Sequence, residues 1–89
     1  MSMSTHADTR AKQRGIPPLV VEWLERFGEE QHDHHGAVIL HFSKRSTRRL
    51  ERAVGRDPVR RMNDYLRCYA VVKAGTVITV GKRYKRVRT

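Results

Sequence analysis

Residues 68–80, CYAVVKAGTVITV, constrain what this chain can fold into more than any other stretch. Two runs rich in β-branched and aromatic residues flank Ala74-Gly75, so they pair as antiparallel strands across a local turn without a long crossover. Tyr69, Val71 and Val72 are expected opposite Val77, Ile78 and Val80. The apolar face of such a hairpin has to be covered by amphipathic helices. With 89 residues, 38% of them apolar, the chain fills one core and so one domain, 1–89.

Two helices are expected before the first strand. Residues 6–13 have helix-compatible composition and end at Arg14-Gly15, before Ile16-Pro17-Pro18. From Pro17, Leu19, Val20, Trp23, Leu24 and Phe27 recur at three- and four-residue spacing, which makes an amphipathic helix stopped by Gly28. Residues 29–36 read as a polar, histidine-rich loop and 37–42 as a buried strand. Ser43 or Ser46 can cap a third helix reaching Val54, with Gly55 as its stop. Asp57-Pro58 has the form of an N-cap followed by an N1 proline, opening a short fourth helix with Val59, Met62 and Leu66 on one stripe. Arg83 to Arg88 form a candidate last strand after Gly81. The fold class is therefore α+β: N-terminal helices packed on a small antiparallel sheet of three to four strands, with residues 1–5 disordered.

Charge divides the chain in two. Residues 1–42 carry four Lys and Arg against six Asp and Glu, a net −2, whereas residues 43–89 carry fifteen against three, a net +12. With a pI near 10.9, a field this one-sided attracts polyanions, and phosphate neutralisation with counterion release is its commonest use. RNA is the expected partner, with DNA or an acidic protein such as an antitoxin as alternatives. No apolar run approaches the roughly 20 residues that cross a bilayer, and MSMSTHADTR offers no signal-peptide core, so a cytoplasmic protein with no membrane partner is expected. Cys68 cannot form an internal disulfide and reads as a small packed hydrophobe.

The basic half resolves into two groups. On a continuous helix Lys44, Arg45, Arg48, Arg49, Arg52 and Arg56 share an arc of about 140°, with Leu50, Val54 and Thr47 opposite. Lys82, Arg83, Lys85, Arg86 and Arg88 surround Tyr84 in the terminal segment, where an aromatic ring between cations suits single-stranded nucleic acid. A solvated face or an acidic protein's docking surface is the bland alternative. The loop Gln31-His32-Asp33-His34-His35 invites a metal reading, but it lacks a second ligand pair, so neither metal nor cofactor is expected. His41, within the expected strand, reads as a wall residue.

At the N-terminus, His6-Ala7, Arg10 and Arg14-Gly15-Ile16 spell H-A-x-x-R-x-x-x-R-G-I. This text, with Tyr69-Ala70-Val71-Val72 and Val77-Ile78-Thr79-Val80 near the other end, resembles a bacterial family of unknown function, DUF4258. The resemblance covers both ends of the chain and not the basic middle. It implies kinship with small antiparallel-sheet ribonucleases and toxins of the barnase- and RelE-like kind. On a helix His6, Arg10 and Arg14 share one face, where neighbouring cations keep an imidazole neutral and guanidiniums grip phosphate. The catalytic candidates for metal-independent RNA cleavage are therefore His6 as base, Arg10 and Arg14 at the phosphorane, and Tyr84, His41 or a C-terminal cation as acid. The alternative leaves Arg10 and Arg14 solvated or paired with acids such as Glu22, and His6 in a frayed terminus.

Overall fold

A computed structural model describes residues 2–83 of the chain. The elements run β1 (Ser2–Met3), α1 (Thr5–Gln13), α2 (Pro18–Phe27), β2 (Glu29–His32), β3 (Ala37–His41), α3 (Lys44–Val54), α4 (Arg56–Arg61), a 3-10 segment (Asn63–Arg67), β4 (Cys68–Lys73) and β5 (Thr76–Lys82). The fold is α+β, with one five-stranded sheet in the order β1-β5-β4-β3-β2. Five strands replace the three to four expected, and the sheet is mixed because β1 runs parallel to β5.

Both extra strands come from segments whose polar text hides them. Ser2 and Met3, expected to be disordered, pair with Thr76 and Val77, and the Ser4 amide donates to the Val77 carbonyl at 2.9 Å. Ser4 then caps α1 by accepting from the Ala7 amide at 3.1 Å. Glu29–His32, expected as loop, is the edge strand of a hairpin with β3. Its turn is built by Asp33, whose Oδ1 accepts from the amides of His35 at 2.7 Å and Ala37 at 3.0 Å. Those two amides hold the Asp33 carboxyl below the usual 3.8.

The hairpin of β4 and β5 forms as expected but runs further. Gly81 lies inside β5 instead of ending it, and a bulge between Val71 and Val72 shifts the register so that Val72 faces Val77. The candidate strand Arg83 to Arg88 lies outside the described residues, Arg83 excepted.

Helices cover one face of the sheet. Alternation sends Leu40, Cys68, Ala70, Val72, Val77 and Val80 into a core with Ala7 and Ala11 of α1 and with Val20, Val21 and Leu24 of α2. The other side of α2 packs Trp23 against Leu50 of α3 and Val59 of α4, so α2 lies between the sheet and the later helices. Ser43 caps α3 as a capping box with Ser46. Asp57-Pro58 does not open α4: the helix begins two residues earlier than that cap implies, at Arg56 after Gly55, with no side-chain cap. Cys68 is buried and its thiol is pushed up to about 11 by desolvation, as fits a packing residue.

Candidate nucleic-acid interface

The cationic helix is built by its apolar side. Leu50 and Ser46 are buried, which fixes the rotation of α3 and leaves Lys44, Arg45, Arg48, Arg49 and Arg52 exposed. Arg56 belongs to α4, beyond the Gly55 break, and not to the same helix as the 140° arc requires. Even so, Arg48, Glu51, Arg52 and Arg56 line one shallow open depression. Arg49 is the member that is engaged: its guanidinium donates to the Phe27 carbonyl at 3.2 Å and lies 3.7 Å from the Glu29 carboxylate. The remaining five make no salt bridge among the described residues.

The terminal basic group is only partly described. Lys82 and Arg83 turn to opposite sides of the sheet and each lies over a tyrosine: Lys82 Nζ is 4.9 Å from the Tyr65 ring centre, and the Arg83 guanidinium is 5.2 Å from that of Tyr69. Tyr84, Lys85, Arg86 and Arg88 lie outside the described residues.

Three of the catalytic candidates lie at α1, on the covered side of the sheet: His6 and Arg10 within the helix and Arg14 at its C-cap. His6 and Arg14 are exposed and Arg10 is half-buried, with no salt bridge to either arginine among the described residues. Much of the surrounding motif has a packing role. Ala7 is fully buried against the sheet, and Gly15 at φ 63° closes α1 while the Ile16 amide donates to the Ala11 carbonyl at 2.8 Å. With the Gly15 amide on the Lys12 carbonyl, that is a Schellman cap, and it accounts for Gly15-Ile16 without reference to chemistry.

The opposite face of the sheet holds a group that local sequence patterns do not reveal. Register aligns Glu29 with His41, His41 with Tyr69, and Tyr69 with Gly81, making one row across four strands. Gly81 leaves room for the Tyr69 ring, since a Cβ would stand 2.9 Å from its carbon Cε1 and from its hydroxyl and the ring would have to shift. The ring therefore lies across the β5 backbone, with Arg83 over it. His41 is 3% exposed, and its enclosed Nδ1 has no hydrogen-bond partner among the described residues. Burial, then the Arg83 charge, hold the imidazole below its usual 6.5, and Glu29 opposes them. Arg49 reaches Glu29 from α3, so the row ends where the cationic helix begins.

In the histidine-rich turn Asp33 is occupied by backbone amides, and His32 lies 4.0 Å from Glu30. Among the described residues no three His, Cys, Asp or Glu side chains gather as a metal-ligand set. No described helix is long and apolar enough to cross a membrane.

Fold and surface define an α+β domain with one cationic helix face and one polar row on its uncovered sheet face. No protein-family model, curated protein or solved structure matches the chain.

Proposed function

We propose that this chain engages RNA by holding its phosphate backbone along α3. The observation that carries the reading is the exposed cationic face of α3, whose Lys44, Arg45, Arg48 and Arg52, with Arg56 beyond Gly55, lack carboxylate partners among the described residues. Like charges crowded this way repel one another, and a polyanion relieves the repulsion while releasing its own counterions. RNA is chosen over DNA on the resemblance of residues 6–16 and 69–80 to DUF4258, which we keep as part of the proposal. We also place the protein in the cytoplasm, where a single unpaired cysteine is ordinary.

The test is fluorescence anisotropy of a labelled single-stranded RNA at increasing salt. The expected slope of log affinity against log salt is roughly 0.7 per phosphate contacted, and Arg48→Glu with Arg52→Glu weakens binding at least tenfold. Arg49 is left intact because Glu29 already engages it. Affinity indifferent to salt or to the double variant would sink the reading. An acidic protein that co-purifies and displaces RNA from α3 would replace RNA as the partner.

A further inference from the structure

We infer that the depression where α3 meets α4, lined by Arg48, Glu51, Arg52 and Arg56, is a subsite for an end nucleotide of RNA that carries a terminal phosphate. The inference rests on the RNA reading above and gives the strand held along α3 a place to end.

The depression gives the basic surface depth. Its volume of about 570 Å³ is within the range that takes small organic ligands. Arg48 and Arg52, four residues apart, stand on one face of α3, with Glu51 three residues after Arg48. Gly55, at φ 94°, ends that helix, so Arg56 reaches the depression from α4 and not from a further turn of α3. The three arginines are exposed and Glu51 is half-buried. Lys44 and Arg45, at the other end of α3, do not line it.

Glu51 is the unusual member. On α1 and α2 the acids Asp8 and Glu22 pair with the cation four residues on, Lys12 and Arg26. Glu51 finds Gly55 at that position, and among the described residues its carboxylate makes no salt bridge with any of the three guanidiniums around it. An acceptor-only group placed among phosphate-binding cations repels phosphate, so a ligand that fits has to bring a donor beside its anion. Ribose supplies one. In a nucleotide at either end of the strand the 2′-hydroxyl stays free, and deoxyribose lacks it, so Glu51 separates RNA from DNA at this point.

Charge selects the end of the strand over its interior. Three guanidiniums less one carboxylate leave the depression at +2. An internal phosphodiester carries a single negative charge, whereas a terminal phosphate carries about −2 at neutral pH and offers three oxygens to the guanidinium forks.

The test is anisotropy of the full chain with one internally labelled single-stranded RNA made with hydroxyl ends, with a 5′-phosphate and with a 3′-phosphate, at one salt concentration. At least one phosphorylated form should bind about tenfold more tightly than the hydroxyl form, and the form that does so identifies the end. Arg56→Ala should level the three, whereas Lys44→Ala should weaken all three alike and keep their ratio. A 2′-deoxyribose at the phosphorylated nucleotide should weaken wild-type binding several-fold and leave Glu51→Ala indifferent. Equal affinity of the wild-type chain for all three forms overturns the subsite and spares the reading of α3. A preference that survives Arg56→Ala overturns the assignment to this depression, and wild-type indifference to 2′-deoxyribose overturns the part given to Glu51. No binding of any form overturns both proposals.

Discussion

The two faces of one sheet show how alternate residues of the same strands come to do different work. Toward the helices, β3, β4 and β5 present Leu40, Cys68, Ala70, Val72, Val77 and Val80, every one of them buried and apolar. Away from them, the same strands present His41, Tyr69, Val71 and Thr79, with Glu29 and Arg83 at the margins. The covered face gains free energy from every methyl it removes from water. The other face mixes apolar and polar groups, and one of the polar ones, the His41 imidazole, is buried there with its Nδ1 unsatisfied.

Removing a side chain from each face tests that contrast most sharply. Leu24→Ala empties fully buried space over the covered face and should cost about 2–5 kcal/mol in urea unfolding, whereas Thr79→Ala on the other should stay within about 0.5 kcal/mol. Equal costs would mean that both faces are packed, and the contrast would fail. A smaller effect is expected from Gly81→Ala, whose Cβ pushes the Tyr69 ring off the row at about 1 kcal/mol by overpacking. The smallest effect is a pH slope. Because His41 is held below its usual 6.5, the unfolded chain takes up a proton that the folded chain refuses. Stability is whole above about pH 6.5 and falls as pH drops from there toward the folded value. Urea midpoints at neutral pH and below 6.5 should show the fall, and His41→Asn should flatten it.

Much of the fold was legible because its signals are local. The apolar spacing of 19–27, the Ser43 cap, the Gly55 stop and the Ala74-Gly75 turn each act within a few residues, and α2, α3 and the β4–β5 hairpin appear where they point. Charge and helical spacing place Arg83 in the basic terminal segment and Arg49 on the basic arc of α3, and say nothing of what either touches. Their actual neighbours, Tyr69 and Glu29, come from other elements. The sequence makes His41 a wall residue or a candidate acid, and nothing near it in the chain points to Glu29 or Tyr69 as its neighbours. β1 and β2 went unread for a related reason: SM and EEQH carry no strand propensity, and partners far along the chain or across a turn make them strands.

The sequence by itself determined α2, α3 and the β4–β5 hairpin, the charge of each half and the cationic side of α3, since periodicity and capping set those through neighbours in the chain. Only the tertiary structure decided which strand residues meet. A shift of one residue in register would turn every side chain of a strand to the other face. The pairing of Glu29 with His41, of His41 with Tyr69 and of Tyr69 with Gly81 is therefore a property of the assembled sheet, and the row on its uncovered face exists only once four strands have come together.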